Sequence, residues 1–385
     1  MKTLELLNEQ SIHTDTAIEQ QPLQFYLRKF KNIQRYKCYP LYNEQLSKEL
    51  VEWGTKKSGI KKGTKAYHHT ISSGISYWIA LCFPLTKDLN KFKKTFYFFQ
   101  MFTTMDDHAD EDWGDAKADS ETIVKFWKKA IKLVETLRDS APWSIKVLRT
   151  ILMRMPNIPI YMRRNFSTMK SIIDDLSPMQ RERYINSFKS YMENAMLQAQ
   201  MSGKEKSTTL EQYKEYRVKS IASIPCTLML EYLYNIELTN EEYFHPKLQE
   251  LEKIGTLHIA FINDLFSLFK EYKGTFENLH LAVSIFILNE GMTLQQAIDK
   301  LCDEIEQMQE DYIQLKEEWF SSGEYISDNV RRFIEGQEYY MAGNEKWHRL
   351  SKRYHGESFN TTITSGIMKR SSEGGTIYIP DDYKK

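Results

Sequence analysis

Apolar residues recur along this chain at spacings of three and four, and strand-like alternation is scarce, so the pattern predicts helices nearly throughout. "NEQLSKELVEWG" places Leu46, Leu50 and Trp53 on one face, with Gly54 expected to stop the helix. Phe92, Phe96, Phe99 and Phe102 form a second stripe. A long helix is expected to begin after Pro246 and to run through "NDLFSLFKE" at 263–271. Leu294, Ile298, Leu301, Ile305 and Met308 make the buried stripe of another. The clearest polar loop is "MSGKEKSTT" at 201–209, and neither an internal repeat nor a domain linker interrupts the pattern. The expectation is a single all-α domain over 40–355, about a dozen helices in one large bundle with a cavity between them. Residues 1–39 are weakly patterned and expected to cap that cavity. The polar, Gly/Ser-rich stretch 356–385 is expected to be a flexible tail or flap.

Composition narrows this little. With 385 residues, 41% hydrophobic and 27% charged, the chain has ample length and apolar content for a globular core. Its 52 basic and 52 acidic residues balance, which gives no sign of a nucleic-acid or membrane-surface binder. Cys38, Cys82, Cys226 and Cys302 are far apart and read as reduced, mostly buried thiols of a cytoplasmic protein. The N-terminus lacks an apolar core suited to a signal peptide, and "GISYWIALCFPL" and "LAVSIFIL" are too short to span a membrane.

Two polar patterns stand out against this apolar background. "DDHADED" at 106–112 packs like charges together. A solvated loop or helix end is the ordinary reading of such a run. Yet the face carrying Phe92, Phe96, Phe99 and Thr103 continues into Asp106 and Asp110, which puts carboxylates at the rim of an apolar region, where cations would stabilise them. Hard oxygen ligands that leave room for water suit Mg²⁺. In the second pattern, Asn263, Ser267 and Glu271 recur every fourth residue and point the same way. Each alone reads as a cap or a solvated residue; together, after "LHIAFI", they read as a cup for one divalent ion. Two such sites facing each other call for a polyanion between them. No G-x-x-x-x-G-K-[ST] loop is present for a nucleotide, so an apolar diphosphate is the better candidate.

The pair "DDHAD" and "NDLFSLFKE" resembles the D-D-x-x-D and N-D-x-x-S-x-x-K-E metal motifs of class I terpene cyclases. Arg217 lies 46 positions before Asn263, where that family carries a diphosphate-sensing arginine. Trp347, Arg353 and Tyr354 in "WHRLSKRY" match a further family pattern near the end. The resemblance covers roughly residues 40–355 and is to the compact, microbial-type, single-domain enzymes, which implies the class I terpenoid synthase bundle. It implies that Asp106, assisted by Asp107 and Asp110, and separately Asn263, Ser267 and Glu271, hold Mg²⁺. Three ions would accompany the bound diphosphate, and Mn²⁺ could substitute. Arg217, Lys270, Arg353 and Tyr354 would grip the diphosphate. The family's helix break falls after Arg217, where this chain has Ser220 and Ile221. Asp264 has no ligand role and could orient a neighbouring arginine.

The implied reaction is ionisation of an acyclic isoprenyl diphosphate, C15 or C20, to a carbocation that cyclises to a hydrocarbon or alcohol. A dry aromatic wall would shield and stabilise the cation, with Phe99, Phe102 and Trp347 as candidates and Tyr77, Trp78 and Phe83 behind them; most aromatics in the chain are ordinary core. His68, His69 and His348 receive no catalytic role. Two alternatives stay open: a chain-elongating prenyl transferase, against which the Asn/Ser/Glu motif argues, and a non-catalytic helical scaffold for a prenyl ligand. The expected partner is a small isoprenyl diphosphate, with no nucleic acid and no membrane span; monomer and homodimer are both compatible with the pattern.

Overall fold

The computed structural model describes residues 23–31, 36–110, 120–138, 160–201, 208–277 and 279–381. Helix α1 (Glu44–Ser58) starts at Asn43, whose side chain accepts the Leu46 amide. It does not stop at Gly54. A side chain there would meet Gln100 Oε1 at 2.0 Å, so Gly54 serves a close approach inside the helix. Gly59, at φ 75°, ends it instead. Then follow α2 (Lys65–Ser72), α3 (Ile75–Cys82), α4 (Leu89–Asp110), α5 (Ser120–Glu135), α6 (Ile160–Asp174) and α7 (Pro178–Met201). Four shorter helices, α8 (Leu210–Ser220), α9 (Ser223–Thr227), α10 (Met229–Tyr234) and α11 (Asn240–Tyr243), lead into α12 (Pro246–Glu271). Pro246 is the first residue of α12, where its missing N–H costs nothing, and His245 caps it. The bundle closes with α13 (Ala282–Glu290), α14 (Leu294–Ser321), α15 (Asp328–His348) and α16 (Lys352–His355).

The apolar stripes predicted from spacing are buried: Phe92, Phe96 and Phe99 on α4, and Ile298, Leu301, Ile305 and Met308 on α14, with Leu294 half-buried at its start. Trp53 is the exception, partly exposed with Lys57 over its ring. Helix α12 is buried on nearly all sides, as befits the central helix of a bundle. It packs against α14, α15 and α8. Helix α15 lies so close to α3 that a methyl group on Gly343 would come within 2.5 Å of the Leu81 carbonyl. No described helix is long and apolar enough to cross a membrane, and the four cysteines are free.

The C-terminal stretch departs from expectation in its described part. The stretch 356–385, read as a flexible tail or flap, carries strands β2 (Gly366–Arg370) and β3 (Thr376–Pro380) within its described part. Strand β1 (Gln24–Leu27), from the segment assigned to capping, pairs antiparallel with β2, Phe25 opposite Met368, and β2 pairs with β3. Five residues are too few for alternation to register in a polar context, and pairing to a distant strand supplies what the local pattern lacks. Phe25, Leu27 and Met368 are buried. The Phe25 ring meets Phe269 at 5.3 Å, and Arg370 Nε donates to the Phe269 carbonyl (2.9 Å), so the sheet is fastened to the C-terminal end of α12.

Burial holds His258, His348 and His355 neutral, with pKa values lowered from 6.5 to about 3, about 3 and about 4. Below pH 6.5 the unfolded chain takes up protons that the folded chain refuses, so stability falls as pH drops. At pH 4.5 each histidine contributes a loss of about 2–3 kcal/mol. Glu252 opposes them: burial raises its carboxyl to about 7, which costs stability above that pH and relieves it below. The urea midpoint should therefore be clearly lower at pH 4.5 than at pH 7, and His258→Gln should shrink that difference. An unchanged difference would refute the assignment.

Candidate active site

Helix α8 begins at a capping box in which Thr209 and Gln212 satisfy each other's backbone amides. Two turns later it presents Arg217, buried, toward α12. Arg217 Nη2 donates to Asn263 Oδ1 at 3.0 Å and to Asp264 Oδ1 at 2.9 Å. Desolvation works against the guanidinium charge, but Tyr213, Asp264 and Glu271 outweigh it and raise the pKa above its ordinary value. The helix breaks directly after: Ala222 adopts the left-handed conformation at φ 61°, and α9 starts at Ser223. A break was implied after Arg217, and a small residue bears the left-handed φ that a larger one would resist.

On α12 the stripe is in place. Asn263 is half-buried, Ser267 is buried, and Glu271 lies at the last helical position. Desolvation pushes the Glu271 carboxyl above its ordinary pKa, while Ser267, Lys270 and Arg217 pull it back. The Ser267 hydroxyl lies near enough to favour the Glu271 anion, yet makes no hydrogen bond of ordinary geometry among the described residues. Several buried hydroxyls share that state among the described residues; this one is set apart by lying beside Glu271 on the stripe. Among the described residues no three His, Cys, Asp or Glu side chains converge on one point. The stripe Asn263, Ser267 and Glu271 offers an amide, a hydroxyl and a carboxylate oxygen, donors of the kind a hard cation takes.

The C-terminal motif meets the same place. Asn263 Nδ2 donates to Tyr354 Oη (3.2 Å) on α16 and lies 3.2 Å from His348 Nε2 at the end of α15. Arg353 is half-buried, its guanidinium 5.9 Å from the Tyr354 ring, and Lys270 is half-buried beside Glu271. Trp347 is buried; its indole N–H donates to the Ser73 carbonyl (3.0 Å), and its ring stacks on Trp78 at 4.9 Å. Phe99 is buried edge-on to Trp78 and Phe83. Trp78, half-buried, keeps accessible surface where Phe99 and Trp347 have almost none. The backbone of Asp106, Asp107 and Asp110 forms the last turns of α4, but their side chains and that of Phe102 lie outside the described residues.

Two residues at this place had no role in the sequence reading. Tyr213, one turn before Arg217, donates its hydroxyl to Asp264 Oδ2. Its i−4 spacing from Arg217 was the available signal. Asp264 itself is fully buried and also accepts the Ala282 amide (3.0 Å), so it orients an arginine, as was open to it. His348, named in the sequence reading but given no role, is the other: it sits beside Trp347 in the C-terminal motif, and only its contact with Asn263 brings it to the site.

Residues 97–311, more than half of the chain, match the family described as terpene synthase family 2, C-terminal metal binding. The chain belongs to this family. Its fold is that of class I terpene synthases: the crystal structure of α-eudesmol synthase superposes over 83% of this chain and 98% of that one, with TM-score 0.68 at 15% identity. The (+)-germacrene D synthase of Selaginella moellendorffii is 25% identical over 322 residues, 82% of this chain and 87% of the relative. The sesquiterpene synthase Agr1 of Cyclocybe aegerita is 27% identical over 208 residues, 54% of this chain and 59% of that one. The protein is a class I terpene synthase, an enzyme of a family that uses a divalent metal.

Proposed function

We propose that this terpene synthase is a Mg²⁺-dependent cyclase that ionises farnesyl diphosphate, releases diphosphate and closes the C15 cation to a cyclic hydrocarbon or alcohol. The observation that carries the reading is the junction of Arg217 with Asn263 at the head of the Asn263–Ser267–Glu271 stripe. A permanently charged donor beside an oxygen cup suits a metal-bound diphosphate and little else. The C15 chain is preferred to C20 because the relatives include a named sesquiterpene synthase.

Asn263, Ser267 and Glu271 would hold one Mg²⁺, and Asp106 with Asp107 and Asp110 the others. Bound metal supplies Lewis-acid stabilisation of the charge that grows on the leaving diphosphate. Arg217, kept charged by Asp264, meets the same charge with N–H donors, and Lys270, Arg353 and Tyr354 add a point charge, a fork and a neutral hydroxyl. Trp78, which keeps accessible surface and is backed by the buried Phe99 and Trp347, would offer an apolar aromatic face that keeps water from the cation and favours positive charge.

Incubation with Mg²⁺ and C10, C15, C20 or C25 isoprenyl diphosphates, followed by analysis of volatiles, tests this. Cyclic products from C15 are expected. A lengthened diphosphate would indicate elongation instead, and volatiles only from C20 would move the substrate assignment to the longer chain.

A further inference from the structure

The Asn263 amide is held in one orientation by partners whose chemistry leaves no choice. Arg217 is a donor only, so the Asn263 atom 3.0 Å from its Nη2 is the amide oxygen. The amide nitrogen then faces His348 Nε2 and Tyr354 Oη, each at 3.2 Å. His348 Nδ1 lies 2.8 Å from the Asn344 carbonyl, an acceptor only, so that nitrogen carries the ring proton. Nε2 is left bare and can only accept. His348 is 2% exposed and stacked on Tyr354 at 4.6 Å and 17°, and its own carbonyl accepts from His355 Nε2 at 2.7 Å. The stacking and the Nδ1 bond hold the ring in this orientation.

An amide is nearly symmetrical in shape. A flipped Asn263 would present NH₂ toward Arg217 and the metal stripe, where it would bind neither; Tyr354 Oη, which can donate as well as accept, could pair with either face of the amide, whereas the bare His348 Nε2 can pair only with the nitrogen. We propose that His348 is a positioning residue whose bare Nε2 keeps the Asn263 oxygen turned toward Arg217 and the metal. Outer partners of this kind commonly set metal affinity by about 10–100-fold. This role rests on the reading of Asn263 as a metal ligand.

Mg²⁺ and inorganic diphosphate titrated into the full chain, followed by thermal shift and by the Mg²⁺ dependence of turnover, test it. His348→Phe removes one of the two acceptors, leaving Tyr354 Oη, and keeps a flat ring. It should raise the Mg²⁺ needed for half the shift and for half-maximal rate by about 10–100-fold, with kcat at saturating Mg²⁺ within a few-fold of wild type. His348→Gln, whose carbonyl can accept, should recover most of the loss. In an Asn263→Ala background, His348→Phe should add nothing further. Wild-type Mg²⁺ dependence in His348→Phe would overturn the role, provided Asn263→Ala shifts that dependence. If Asn263→Ala leaves it unchanged, the metal reading has failed instead. Should His348→Phe not fold, ¹⁵N spectra of the wild type decide: a protonated Nδ1 with a bare Nε2 is expected, and the opposite tautomer overturns the proposal.

Discussion

On the proposed reading, Asn263→Ala and Glu271→Gln should each lower turnover of farnesyl diphosphate by about 10³-fold or more, since each would strip an oxygen ligand from the group that would stabilise the leaving diphosphate. Both chains should stay folded. Asn263 is half-buried and contributes one amide to a polar cluster with Arg217, His348 and Tyr354, not apolar packing. Glu271→Gln keeps the shape and removes a carboxylate whose charge burial already disfavours. Its melting temperature should therefore equal or exceed that of the wild type, and loss of activity with stability retained separates a ligand from a structural residue. Raising Mg²⁺ should recover part of the rate in Glu271→Gln, whose amide oxygen can still coordinate, and less in Asn263→Ala. Product analysis at fixed substrate, beside a melting curve, checks both; a near-normal rate in either variant would show that the stripe does not hold the metal.

The stripe itself was legible because helical periodicity is local. Asn263, Ser267 and Glu271 must share a face on any helix, and Leu265, Phe266, Leu268 and Phe269 around them require that helix to be buried. Arg217 was found only through the family spacing. Its contact with Asn263 is made between two helices, and no local pattern encodes which helices meet. The same limit explains Tyr213 and His348, whose roles depend on atoms 51 and 85 positions away. It also explains the terminal sheet, where β1 finds β2 across almost the whole chain. Gly54 misled for a different reason. Glycine marks helix ends through backbone freedom, but it marks close packing equally well, and only the position of Gln100 tells the two apart.

Asp264 is where folding and chemistry meet most directly. Its carboxylate is fully buried and accepts from Tyr213, Arg217 and the Ala282 amide. Asp264→Ala leaves the Arg217 guanidinium buried without its counter-charge, and breaking such a pair from one side costs about 3–5 kcal/mol. Tyr213 and the Ala282 amide also lose their acceptor, which adds to the loss. Turnover should fall by about 10–100-fold even where the protein is folded, because Arg217 is then free to leave Asn263. Arg217→Ala should destabilise as well, by stranding the carboxylate in turn. The double variant should therefore be more stable than the two single losses predict, with a coupling of about 1–3 kcal/mol. Urea unfolding of the four chains measures it. Additive losses would mean that the two side chains do not depend on each other, and that Arg217 is held beside Asn263 by something other than Asp264.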